Sequence, residues 1–222
     1  MSSKIECFVF DMAGTTIRDG KGFVGMKLAE AIGGYDFDIL PEEIDSVMGL
    51  EKHEAIRKLL NIHVDEIYKT FEHRMVQWYK QNAAPIDGVH QALVYMRKKG
   101  LKVALNTGFP SKIADTIIDK IGWIDLVNIL VTPDMVECGR PYPDMIRRIS
   151  KSLQVDVGKI IKVGDTSSDI EEGHNANCLM SVGVTTGTCS ENELVCAGAD
   201  MVVDSIWELV ARTQDRWGGN GS

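Results

Sequence analysis

Long hydrophobic runs are absent from this chain. No apolar stretch approaches the roughly 18 residues that a membrane span needs, so the sequence carries no transmembrane signal. Cysteine is scarce and unpatterned: Cys7, Cys138, Cys178, Cys189 and Cys196 are odd in number and include no CxxC pair. That spacing argues against a disulfide framework and against a zinc site, and leaves reduced thiols as the expectation. Basic residues are in deficit, 24 Lys and Arg against 32 Asp and Glu, for a net charge of −8. Aromatics make up 7% of the chain and the basic residues give no clustered pattern. The sequence therefore lacks the footprint of a nucleic-acid binder and of a protein held on an anionic membrane. Any phosphate must be met by a local cluster of groups. The opening MSSKIECFVFDMAG turns acidic and glycine-bearing after one short apolar run. This is not the layout of a secretory signal, and a cytoplasmic location is expected.

What is present is ordinary globular usage, with 44% apolar and 25% charged residues in 222. At about 150 residues per domain, this length suggests one domain with an insert, or two small ones. Short apolar runs at 5–10, 102–106, 129–131, 160–163, 180–184 and 201–203 predict strands. Amphipathic stretches such as 89–99, 110–121 and 143–153 predict helices between them. Buried strands alternating with helices predict an α/β fold built on a Rossmann-like parallel sheet with right-handed crossovers. Residues 21–84 break the rhythm, with helical patterns at 24–32, 41–47, 52–60 and 64–81 and no convincing strand. The expected division is an α/β core of residues 1–18 and 86–222 and a helical insert of residues 19–85, joined at 19–22 and 82–88 by segments of turn-like composition.

In an open parallel sheet, ligands sit beyond the carboxyl ends of the strands. The polar residues at those positions form a coherent set. Asp11-Met-Ala-Gly-Thr-Thr16 follows the first strand and Thr107-Gly108 the second, Arg140-Pro-Tyr-Pro143 lies in the loop after the third, and Gly164-Asp165-Thr-Ser-Ser-Asp169 follows the fourth. Asp11 and Asp165 could share a hard divalent cation such as Mg²⁺. Gly14, Thr15, Thr107 and Gly108 could offer N–H groups and hydroxyls to phosphate oxygens. Arg140 would neutralise charge on a transferring group, and a carboxylate beside the cation can attack phosphorus to give an aspartyl-phosphate.

These four stretches resemble the signature motifs of the haloacid dehalogenase superfamily, and the resemblance covers nearly the whole chain. It implies Asp11 as nucleophile and Mg²⁺ held by Asp11, the Ala13 carbonyl and Asp165, with Asp169 as ligand or orienter. The insert resembles the four-helix cap that closes over the site in that superfamily. One departure is chemical. Phosphomonoesterases of the superfamily carry a second Asp two residues after the nucleophile, which protonates the leaving alkoxide; here that position is Ala13.

Asp-x-Ala-Gly-Thr-Thr together with Met48-Gly-Leu-Glu-Lys52 resembles the phosphonatase (phosphonoacetaldehyde hydrolase) branch. There a cap lysine forms a Schiff base with the aldehyde, so the carbon leaves as an enamine and needs no proton at that moment. The resemblance places Lys52 in that role and Met48 and Gly49 over the site, and it implies a homodimer formed through the cap. It is incomplete: the branch has a cysteine at Lys21, a histidine at Ala55 and a tyrosine at Phe109. His53 lies nearly on the opposite helix face from Ala55 and does not replace that histidine. His63, His73, His90 and His174 are expected to be structural or peripheral, and Phe71, Met75, Trp78 and Tyr79 to be core of the insert. The expected activity is C–P cleavage of a small phosphonate. The alternatives are hydrolysis of a small phosphoester or acyl phosphate without imine chemistry, and a catalytically weak phosphate-binding regulatory protein.

Overall fold

The computed structural model describes residues 4–19, 22–35, 37, 39–48 and 50–218, so Lys21 and Gly49 lie outside the described residues. Six strands form one sheet: β1 (Cys7–Phe10), β2 (Lys102–Asn106), β3 (Ile129–Val131), β4 (Ile160–Gly164), β5 (Met180–Val184) and β6 (Met201–Val203). Every pairing is parallel, in the order β3-β2-β1-β4-β5-β6. The α/β parallel-sheet architecture expected from the sequence is what the chain adopts.

β1 is apolar along its whole length because helices cover both faces of the sheet. Successive side chains of β1 point to opposite sides. Phe8 and Phe10 join a core with α5 (Val89–Lys98), α6 (Ser111–Ile121) and α10 (Ile206–Thr213), while Cys7 and Val9 join another with α7 (Asp144–Leu153). Two further helices, α8 (Ser167–Ala176) and α9 (Glu191–Cys196), follow β4 and β5. The strand order reverses direction between β1 and β4, which opens a crevice at their carboxyl ends.

Between β1 and α5 the chain forms four helices and, among the described residues, no strand: α1 (Phe23–Gly33), α2 (Pro41–Asp45), α3 (Lys52–Leu59) and α4 (Val64–Asn82). Phe71, Met75 and Tyr79 of α4 are fully buried with Val24, Leu28 and Ile32 of α1. The outgoing and returning chains are tied together where they leave the sheet. Arg18 N–H donates to Ala84 O at 2.8 Å and Ile86 N–H to Thr16 O at 3.0 Å. Two boundaries differ from expectation by two residues, and the other differences are of one residue. β1 begins at Cys7, Ile5 making only an isolated bridge to Trp217. α2 ends at Asp45, where the Ser46 hydroxyl turns back to donate to Glu43 O at 2.7 Å.

Candidate active site

Asp11 is the first residue beyond β1, Thr107 the first beyond β2 and Asp165 the first beyond β4, so the sheet delivers all three to one crevice. Arg140 arrives on the loop between β3 and α7, just before a cis peptide bond to Pro141. α3 brings Lys52. Its N-cap Glu51 accepts from the His53 and Glu54 amides, each at 2.9 Å, which fixes Lys52 as the first residue of the helix. A cavity of about 40 Å³ results, bounded by Asp11, Ala13, Lys52, Thr107, Arg140 and Asp165. Met48, Gly108, Asp19 and Phe109 also line it. Gly14, Thr15 and Asp169 stand behind that wall, and Gly49 lies outside the described residues.

The carboxylates form a buried triad. One oxygen each from Asp11, Asp165 and Asp169 fall within 4.8 Å of one another. Arg140 bridges two of them, donating to Asp11 Oδ1 and Asp169 Oδ1 at 2.6 Å each. Asp165 is oriented by the Thr15 hydroxyl at 3.1 Å and the Thr188 amide at 2.7 Å. Burial, reinforced by Asp11 and Asp169, pushes the Asp165 carboxyl up to about 8. Burial likewise raises Asp11, against the pull of Arg140. Asp169 goes the other way, because Arg140 and Lys162 outweigh its burial. Asp11 and Asp165 are thus held toward the neutral form until a positive group faces them, and they are the pair best suited to a hard cation with oxygen ligands. Asp169 is already satisfied: Arg140 and Lys162 hold one oxygen, and the Thr166 hydroxyl donates to the other at 2.6 Å.

Beneath the triad lies a polar cluster that adjacency to strand ends does not reveal. Lys162, wholly buried within β4, approaches Asp169 at 2.8 Å and Glu172 at 3.2 Å and donates to Asn106 Oδ1 at 2.6 Å. The Asn106 amide donates in turn to both Glu172 oxygens at 2.8 Å. The 185–188 loop after β5 is the other addition. Thr186 donates to Gly14 O at 2.6 Å, and a Cβ on Gly187 would stand 2.0 Å from Asp165 Oδ2, so only glycine admits that carboxylate. In sequence this loop reads as an ordinary turn.

The loop at 11–17 is self-contained. Gly14 N–H donates to Ile17 O at 3.0 Å and Thr15 N–H to Met12 O at 3.3 Å. Thr107 Oγ1 accepts from Phe109 N–H at 3.1 Å, which leaves its hydroxyl hydrogen for another partner. Lys52 is only 3% exposed and donates to Leu50 O at 2.9 Å. Burial and the Arg140 charge push its ammonium down from 10.5 to about 8, despite Glu51, Asp11 and Asp19. None of the five histidines lines the cavity. His53 stacks on Tyr68 with ring centres 3.6 Å apart, and His90 accepts from Trp123 Nε1 at 3.0 Å. All five cysteines are free. No helix among the described residues is long and apolar enough to cross a membrane.

A curated relative, the phosphonoacetaldehyde hydrolase of Bacillus cereus (strain AH187), is 34% identical over 206 residues, covering 83% of this chain and 77% of its own. A solved phosphonoacetaldehyde hydrolase-like protein from Oleispira antarctica superposes with TM-score 0.84 at 26% identity, covering 96% of this chain and 93% of its own. A hydrolase from Pseudomonas syringae matches in fold with TM-score 0.85 at 20% identity, over 96% of this chain and all of its own. The family model for haloacid dehalogenase-like hydrolases matches residues 8–182. The chain belongs to the haloacid dehalogenase-like hydrolase family.

Proposed function

We propose that this hydrolase cleaves the C–P bond of a small aldehyde-bearing phosphonate such as phosphonoacetaldehyde, with Lys52 as the imine-forming amine and Asp11 as the nucleophile. The observation that carries the reading is the buried Lys52 amine in one cavity with Asp11, beside an Ala13 that offers no proton. An amine held near 8 supplies a useful fraction of free base at neutral pH. It adds to the aldehyde carbon and loses water to give an iminium. Asp11 then attacks phosphorus, and the C–P electron pair passes into the iminium to form an enamine. Water releases phosphate from Asp11 and, after protonation of the enamine carbon, acetaldehyde from Lys52.

The donor set suits Mg²⁺: Asp11, Asp165 and the Ala13 carbonyl would hold it, with Asp169 held back by Arg140, Lys162 and Thr166 as an orienter. When bound, the cation would neutralise charge on the phosphoryl oxygens. Arg140 and the Thr107 hydroxyl face the same space, and Met48 with Gly108 bounds it. The helices α1–α4 act as a cap that excludes water when Lys52 enters the site.

Phe109 in the cavity wall and the buried Ala55 favour a second reading, because neither supplies the polar group of the phosphonatase branch. In that reading the substrate is a phosphoester or acyl phosphate whose leaving group needs no proton. The two separate in one comparison of native protein with Lys52→Arg, with phosphonoacetaldehyde and acetyl phosphate as substrates. Arginine keeps the charge and loses the imine-forming amine. Phosphate release from phosphonoacetaldehyde is abolished in the variant while acetyl phosphate is still hydrolysed. Failure of native protein to release phosphate from phosphonoacetaldehyde, with both proteins hydrolysing acetyl phosphate equally, establishes the second reading instead.

A further inference from the structure

Asp19 lines the cavity with Asp11 and Lys52, yet it belongs to none of the strand-end motifs. It sits where the chain leaves the sheet for α1, and its two oxygens have different surroundings. The Val24 amide, in the first turn of α1, hydrogen-bonds to the carboxylate and favours its charged form. Oδ1 is buried with no donor among the described residues. A buried carboxylate oxygen left unpaired at a cavity wall is costly unless a ligand or a proton meets it there. Among the described residues, the charged and titratable groups facing it are Asp11 from the end of β1, Lys52 from α3 and the Tyr79 hydroxyl from α4. The Tyr79 hydroxyl is itself buried and has no partner among the described residues.

We propose that Asp19 is the proton-transfer residue of this site, doing from the segment that leads into α1 the acid–base work that Ala13 cannot do. The inference rests on an Asp11 nucleophile and deepens the proposed reaction. In its second half, the oxygen of a water molecule bonds to phosphorus and its proton passes to Asp19. The P–O bond to Asp11 breaks, its electron pair returning to the Asp11 carboxylate as inorganic phosphate forms. Asp19, now protonated, gives that proton to the enamine carbon on Lys52. The resulting iminium adds water and releases acetaldehyde, restoring Asp19 and Lys52. With an acyl phosphate as donor the first of these transfers is the same, and the proton returns to solvent. Burial and the Asp11 charge lift the Asp19 carboxyl to about 7, in the range where one group can both accept and donate at neutral pH.

The test is Asp19→Asn, which keeps an oxygen for the Val24 amide and removes the proton acceptor. Native protein and variant are mixed with Mg²⁺ and either phosphonoacetaldehyde or acetyl phosphate. Phosphate release and covalent phosphorylation of Asp11, by intact mass, are followed across pH, and thermal melting reports folding. The variant is expected to accumulate phosphoenzyme while steady-state release falls by about 100-fold or more. With acetyl phosphate, which does not use Lys52, the pH dependence that native protein shows near neutrality should be lost, and Asp19→Glu should restore part of the rate. Turnover within a few-fold of native with an unchanged pH profile overturns the proposal. So does loss of phosphorylation together with release, which marks a purely structural role, as does a native protein that neither donor phosphorylates or turns over. Acetyl phosphate keeps the two questions separate, since Asp19 can pass this test even where native protein leaves phosphonoacetaldehyde intact.

Discussion

At Lys52, burial opposes the ammonium form, and the opposing terms have a kinetic signature. Loss of water and the nearby Arg140 charge outweigh the attraction of Glu51, Asp11 and Asp19, so the amine deprotonates near 8 instead of 10.5. Only the neutral amine adds to a carbonyl. Its fraction rises with pH and saturates above the shifted value, so kcat/KM for phosphonoacetaldehyde should climb through an apparent value near 8 and then level. A rate still climbing tenfold per pH unit above 9 would place Lys52 in water. Reading strand ends in the sequence leads to Asp11, Thr107 and Asp165, because a parallel sheet puts those positions on one edge regardless of loop detail, whereas Arg140 depends on the course of the loop after β3. Asp19 escapes that reading, since it lies eight residues past the nucleophile in a turn-like stretch and acquires meaning only when α3 and α4 fold over it.

Among the elements, β4 and α8 carry the heaviest electrostatic demand. A lysine in the middle of IIKVG interrupts an apolar strand, and nothing in the sequence shows that Asn106, Asp169 and Glu172 come from two other elements to meet it. Removing one partner from such a cluster leaves buried charge unpaired. Lys162→Met should destabilise the fold by about 3–5 kcal/mol in urea unfolding. Adding Glu172→Leu should recover part of that loss through a positive coupling. Equal stability of native and Lys162→Met would show the cluster to be less dry than its burial implies. The strands and most helices were legible as elements because their periods are clean. The end of α2 was not, because Ser46 turns its hydroxyl onto the preceding turn and closes a helix whose apolar pattern runs on to Val47.

For the whole molecule, the sheet order and the helical insertion concentrate carboxyl groups at one crevice, and stability should report it. Asp165 ionises near 8 when folded and near 3.8 when not. A raised carboxyl favours the fold below its unfolded value, and that contribution drains away as pH rises through its folded one. A cation bound by the deprotonated site reverses the loss. Mg²⁺ should therefore raise the melting temperature, and by more at pH 8 than at pH 6. An Mg²⁺ increment that is absent, or larger at the lower pH, would argue that Asp11 and Asp165 do not hold the metal.

The most direct test of imine-assisted C–P cleavage is chemical trapping. Native protein is treated with borohydride in the presence and absence of phosphonoacetaldehyde, then digested and mapped by mass spectrometry. The account predicts substrate-dependent inactivation with the reduced carbon adduct on Lys52 and on no other lysine. Full activity after borohydride and substrate, or an adduct on a surface lysine with Lys52 unmodified, would contradict it.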